Sequence, residues 1–147
     1  MRSRRRAPAP AAGWRRLRAG DLPLLARVLA LWPAAAVLKW ALPLPHLGRA
    51  FSLAPGPAPD PDRAAWLAGA VLRRAYRRRP GYCVERSLVL FRLLQRGPHA
   101  VRLCFGVRRA GGRLSGHAWV TLDGRPFAEA ADPGASYAPT YVYPPDA

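Results

Sequence analysis

The apolar residues of this sequence change their spacing once along the chain, and that change restricts the possible folds more than any other feature. As far as Gln95 they recur every three to four positions, which is typical of one face of an α-helix. From Val101 onward, Leu103, Phe105 and Val107 follow at intervals of two, which is the spacing of a half-buried β-strand. Helices followed by antiparallel strands predict an α+β fold, with N-terminal helices and then a helix packed on a small antiparallel sheet.

Composition divides the 147 residues into four segments. Residues 1–12 combine an arginine run with alternating alanine and proline, so they cannot bury enough apolar area to offset the entropy of ordering. They are predicted to be a disordered basic arm. Residues 13–52 are predicted to be helical, residues 53–61 are a proline-rich linker, and residues 62–147 hold the α+β core. The linker is not expected to mark a domain boundary, because neither side is large enough to be sure of folding alone.

Proline, glycine and aspartate mark where the later elements begin and end. Pro80 and Gly81 stop a helix that runs to about Arg78, and Cys83 begins the next helix, which continues through Gln95. The predicted sheet has three strands joined by tight turns: a strand at 101–107, a turn at 110–112, a strand at 114–122, a type I′ turn at Asp123 and Gly124, and a strand at 125–129.

An apolar stretch from Leu22 to Pro45 has the composition of a membrane span, but charge and proline interrupt it. Arg27 and Lys39 lie within it, and its longest uncharged run, residues 28–38, is well short of the roughly 20 residues that a spanning helix needs. Its distance from the N-terminus and its flanks do not fit a secretory signal. We therefore predict packed helices, with Pro33 ending or kinking the first. Contact with a membrane surface is the less favoured alternative.

The formal charge of +16 suggests nucleic acid, anionic lipid or an acidic peptide as a partner. However, Lys39 is the only lysine among the 24 basic residues, and alanine, arginine, proline and glycine are all abundant. A GC-rich coding sequence produces that pattern without selection for binding. We use the charge only as a statement about solubility and non-specific attraction, and predict no specific nucleic-acid partner.

The cysteine content indicates a reducing compartment. Cys83 and Cys104 are too few for a disulfide framework, and no Cys/His cluster has the spacing of zinc ligands. The sequence thus predicts a cytoplasmic protein with no metal and no cofactor.

Cys83 and His117 are the candidate nucleophile and general base. Cys83 lies at a predicted helix N-terminus, where unpaired N–H groups and the positive end of the helix dipole favour a thiolate. His117 lies in a predicted central strand, and the start of a helix packed on that sheet can bring thiol and imidazole together. An acid on the next strand, Glu129 or else Asp132, can then orient the imidazole.

Neighbouring residues admit plainer interpretations. Trp119 shares the face of His117, and either lines a substrate groove or belongs to the core. Arg86 and Ser87 are expected to support the nucleophile helix by local hydrogen bonds and packing, without a chemical role. Cys104 is interpreted as a small apolar filler.

Three segments resemble a known family: CVERSLVLFRLLQRG (83–97), LCFGV (103–107) and GHAWVTLDGRPFAEAAD (116–132). Together they closely resemble the transglutaminase-like, papain-like cysteine peptidases that mature lasso peptides. The family acid, commonly Asp, lies where Glu129 stands here, with Asp132 as the alternative. Glu is one methylene longer than Asp, so this position departs from the family pattern.

The resemblance implies a hydrolase with a Cys-His-acid triad that removes the leader from a lasso-peptide precursor before macrolactam closure. Cys83 would attack the bond joining leader to core, and His117 would act first as base and then as acid. The implied partners are the precursor, a separate leader-binding protein (a RiPP recognition element) and an ATP-dependent lasso cyclase.

Two other functions compete with this prediction. A transglutaminase-like acyl transferase would use the same triad to pass the acyl group to an amine. A non-catalytic basic protein that binds nucleic acid or a membrane surface would instead show salt-sensitive affinity that survives Cys83→Ala.

Overall fold

The computed structural model describes residues 17–52, 57–77, 79 and 81–145. The helices in these ranges, apart from short 3₁₀ turns, are α1 (Leu22–Ala41), α2 (Leu44–Ser52), α3 (Pro61–Ala75) and α4 (Cys83–Leu94). The strands are β1 (Val101–Ala110), β2 (Arg113–Leu122), β3 (Arg125–Phe127) and β4 (Ala138–Tyr143). The predicted arm at 1–12 and the predicted helix stop at Pro80 lie outside the described residues.

The strands form one antiparallel sheet in the order β3-β2-β1-β4. Two-residue turns join β1 to β2 and β2 to β3. Asp123 and Gly124 both have positive φ, 51° and 77°, as the predicted type I′ turn requires. Helices followed by a small antiparallel sheet confirm the predicted α+β fold.

The two edges of the sheet differ from the prediction. β3 ends at Phe127, because Ala128 adopts a left-handed conformation (φ 57°) that takes the chain out of the strand before Glu129. β4 was not predicted from sequence. It is an edge strand that contains Pro139, a residue tolerated there because an edge strand has N–H positions without a ladder partner.

Helix α4 is the central element of the core. It contacts β1 and β2 on one side and the three other helices elsewhere. Its buried side chains include Leu88, Phe91 and Leu93, each at most 1% exposed. Burying a side chain of this size contributes about 1.5–3 kcal/mol. Because α1 and α2 belong to the same apolar cluster, the N-terminal helices and the sheet share one core.

Helix α1 continues through Pro33, so of the two predicted effects of this proline, ending or kinking the helix, the first is wrong. Pro33 is exposed, and the hydrogen bond it cannot donate would have gone to the carbonyl of Leu29, which also lies on an exposed part of the helix. Val28 and Ala35, both fully buried, hold the two halves of the helix on the core.

Candidate active site

Cys83 is the first residue of α4, at an N-terminus that no side chain caps. Gly81 has a φ of 99°, which allows the chain to turn sharply, and Tyr82 at the N-cap makes no side-chain hydrogen bond to the helix. The N–H groups of the first turn therefore remain available to stabilise negative charge. The Cys83 side chain is half-buried and packs at the margin of the core.

The two thiols differ in environment. Cys104 is buried in β1, and this burial raises the pKa of its thiol. A buried thiol with a raised pKa is a poor nucleophile near neutral pH. The position of Cys104 agrees with its interpretation as an apolar filler, and it leaves Cys83 as the more accessible sulfur.

His117 on β2 is paired with Glu129. The ring Nε2 lies 3.0 Å from Glu129 Oε2, and the side chains are 21% and 11% exposed. This low exposure reduces competition from water, so the pair can hold the imidazole in one orientation. Since Nε2 is engaged by the carboxylate, Nδ1 is the ring nitrogen that remains for proton exchange.

Arg86 holds the other oxygen of Glu129. Its guanidinium donates to Glu129 Oε1 and also, at 3.3 Å, to the carbonyl of Ala128. Arg86 was expected to support the helix by local hydrogen bonds and packing, but these two partners lie 42 and 43 residues along the chain. Arg86 follows Cys83 by three residues, so the two side chains project from the same face of α4. The first turn of the helix that Cys83 begins is thus tied to the His117–Glu129 pair.

Asp132 has a different partner. Its carboxylate accepts a hydrogen bond from the backbone N–H of Gly134 at 2.8 Å and caps a short 3₁₀ turn, Pro133–Ala135. Of the two candidate acids, the structure brings Glu129 to His117.

Aromatic rings surround the imidazole. The His117 ring stacks on Trp119 and Tyr137, with centroids 6.0 and 5.1 Å away. Trp119 is only 4% exposed, and its ring crosses β1 at Gly106, where a Cβ would come within 2.9 Å of it. Glycine is therefore the residue that fits there. Tyr137 was missed from sequence, because it lies between a turn and an unpredicted strand. Whether Trp119 also lines a substrate groove stays a prediction.

A buried polar network lies beside the first turn of α4, which we call the nucleophile turn because Cys83 begins it. Glu85, two residues after Cys83, is fully buried and accepts hydrogen bonds from Lys39 Nζ and, at 3.1 Å, from the Tyr76 hydroxyl. Trp32 Nε1–H donates to that hydroxyl at 3.1 Å. The only lysine of the chain thus offsets a negative charge that would otherwise oppose a thiolate nearby.

Among the described residues, no group of three or more His, Cys, Asp or Glu side chains could hold a metal ion. The polar groups assembled around His117 are those of proton transfer and charge stabilisation.

Cys83 at the start of α4, and the His117–Glu129 pair on the sheet against which α4 packs, are the kinds of group that cysteine-dependent acyl transfer uses. A family model described as the transglutaminase-like superfamily matches residues 23–142. The chain belongs to this superfamily. No curated protein and no solved structure matches it significantly. Membership favours cysteine peptidase or acyltransferase activity.

Proposed function

We propose that this protein is a cysteine peptidase that cleaves the leader from a lasso-peptide precursor. The observation that carries the proposal is the hydrogen-bonded series from Arg86 through Glu129 to His117, which begins one turn after Cys83. The resemblance of segments 83–97 and 116–132 to the lasso-peptide peptidases supports the substrate class.

The proposed reaction begins with proton transfer from the Cys83 thiol to His117 Nδ1. The thiolate attacks the carbonyl carbon of the bond between leader and core, and the N–H groups of the first turn of α4 stabilise the resulting oxyanion. The imidazolium returns its proton to the departing amine of the core peptide, and the leader remains as a thioester on Cys83. Water, deprotonated by His117, then attacks the thioester and releases the leader as a carboxylic acid. Glu129 orients the imidazole and stabilises its charged form.

Acyl transfer to an amine is the second candidate, because superfamily membership is equally compatible with it. The first half of the reaction is unchanged, and an amine in place of water attacks the thioester. The two outcomes differ in product mass.

The proposed partners follow from the resemblance. The precursor supplies the substrate, a separate leader-binding protein presents it, and a lasso cyclase consumes the freed core. We propose a cytoplasmic location for this protein and for these three partners.

The direct test is mass analysis of the precursor after incubation with this protein and the leader-binding protein. We expect two fragments whose summed mass exceeds that of the precursor by one water. A product that retains an added amine would identify a transferase. An intact precursor, with and without the leader-binding protein, would contradict both candidates.

The two candidate acids can be separated by substitution. We expect Glu129→Ala to lower kcat by about 10²-fold or more, because the imidazole loses its orienting carboxylate. Asp132→Ala removes only the cap of a 3₁₀ turn, so kcat should stay within about threefold of the parent value. The measurement is steady-state cleavage of the precursor. A larger loss for Asp132→Ala would assign the role to that residue.

Arg86 is proposed as a positioning residue that acts through Glu129. We expect Arg86→Gln to lower kcat by about tenfold or more with little change in KM, and Arg86→Lys to recover part of the loss. Alkylation of Cys83 by iodoacetamide, which needs no precursor, should slow in parallel.

The matched control is Arg63→Gln. Arg63 and Asp21 are 26% and 10% exposed, against 24% and 11% for Arg86 and Glu129. Breaking this comparably buried pair should cost similar stability and leave kcat and the alkylation rate unchanged. Equal losses in the two variants would reduce Arg86 to a structural role.

A further inference from the structure

Helix α1 turns a continuous apolar face to the outside. We call this face the apolar stripe; its members are exposed, follow the three- and four-residue spacing of one helix side, and continue into the first residue of α2: Leu22, Ala26, Leu29, Ala30, Pro33, Val37, Trp40, Ala41 and Leu44. Val37 and Trp40 are 66% and 84% exposed. Exposed apolar surfaces of this extent on soluble domains mark interaction sites.

Both charged residues of α1 have polar partners elsewhere on the protein. Arg27 donates to the carbonyl of Pro57 at 3.0 Å, and Lys39 pairs with the buried Glu85. The sequence prediction used these two charges against a membrane-spanning helix, but the fold pairs both with groups of the protein. The stripe is therefore without charged side chains along a helix about 30 Å long.

The segment Ala19–Ala41 is long and apolar enough to cross a membrane by length and composition alone, with a mean hydropathy of 1.6. Only 22% of the 18-residue stretch with this hydropathy is buried, so α1 is not an enclosed core helix of this chain. Val28 and Ala35 are nonetheless fully buried in the shared core. Removing α1 to span a bilayer would open that core, whereas docking through the stripe leaves it intact.

We propose that the apolar stripe docks this protein on the surface of an anionic membrane. Apolar helix faces insert at the boundary between headgroups and acyl chains, and cationic residues add attraction to anionic lipid. Arg18 before α1 and Arg49 after it are exposed, and the whole chain carries a charge of +16. Protein interfaces instead need a polar rim and about one hydrogen bond per 100–200 Å². The stripe offers one side-chain donor for such bonds, the indole N–H of Trp40, and no acceptor.

The docked orientation would bring the candidate active site near the membrane. Trp40 lies at the C-terminal end of the stripe, and its ring centroid is 5.1 Å from Lys39 Nζ. Lys39 in turn pairs with Glu85 in the first turn of α4. The nucleophile turn is therefore adjacent to the end of α1 that carries its most exposed aromatic ring.

The test is sedimentation of the full-length protein with vesicles of phosphatidylcholine, with and without phosphatidylglycerol. We expect binding to the anionic vesicles that weakens with added salt. The double substitution Val37→Gln with Trp40→Gln should weaken it by about tenfold or more. Leu114→Gln is the matched control, because Leu114 is 70% exposed but lies on β2 outside the stripe. Circular dichroism verifies that each variant remains folded.

Three outcomes would overturn the proposal. The first is the absence of binding to anionic vesicles. The second is an equal loss in the stripe variant and in Leu114→Gln. The third is sedimentation equilibrium showing that the protein self-associates without lipid and that the stripe variant abolishes this, which would make a second copy the occupant. None of these measurements depends on peptidase activity.

Discussion

Replacing Cys83 by alanine should abolish cleavage of the precursor, with a loss of about 10³-fold or more in kcat. The proposed reaction proceeds through a thioester on this sulfur, and the variant has no group that can replace it. The side chain is half-buried at the margin of the core, so thermal unfolding should change little. Mass analysis of the reaction mixture and a thermal melt are the two measurements.

Cys104→Ala is the control for this result. It removes the other thiol of the chain. This thiol is buried in β1, and its burial raises its pKa. We expect this variant to retain cleavage. Undiminished cleavage by Cys83→Ala would contradict a thioester on Cys83. A Cys104→Ala variant that is folded but inactive would identify Cys104, on the sheet, as the nucleophile.

His117→Ala should reduce cleavage by about 10³-fold or more and slow the alkylation of Cys83 by iodoacetamide. Without the imidazole no group accepts the thiol proton, and the leaving amine receives none. The alkylation rate isolates activation of the thiol from binding of the precursor. It can therefore be measured even if the natural substrate differs from the one proposed.

The chain contains a natural control for this substitution. His99 also pairs with a carboxylate, through Nδ1 and Asp123 Oδ2 at 2.7 Å, but both side chains are more exposed and the pair lies beside the β2–β3 turn. His99→Ala should leave cleavage and alkylation at parent rates. If the two histidine variants lose activity equally, general loss of structure would explain the result and His117 would not be the base.

Local pattern was enough to predict much of the fold. The change of apolar spacing after Gln95 identified the α+β class, and the start of a helix at Cys83 followed from its flanking residues. The Asp123–Gly124 turn was predictable because its dihedral angles require those residue types. Each of these features depends on residues adjacent in sequence, and so does the presence of a thiol at a helix N-terminus.

Contacts between residues far apart in the sequence could not be predicted from local pattern. β4 becomes a strand because β1 offers it an open edge, and its own six residues carry a proline that argues against pairing. Arg86 reaches Glu129 because α4 packs against the sheet there and because Ala128 turns the chain out of β3. No spacing in the sequence relates residues that meet only after this packing.

Helix α1 shows most clearly what the sequence determines and what only the packed structure decides. Its composition determined that it would be a helix and apolar, and for that reason its pattern did not distinguish a buried side from an exposed one. Leu29 is 48% exposed although its neighbour Val28 is fully buried, and the lysine expected to interrupt the apolar segment is paired with Glu85. Only the positions of α3 and α4 decide which side of α1 is covered, because burial is a property of the packed neighbours and not of the helix alone.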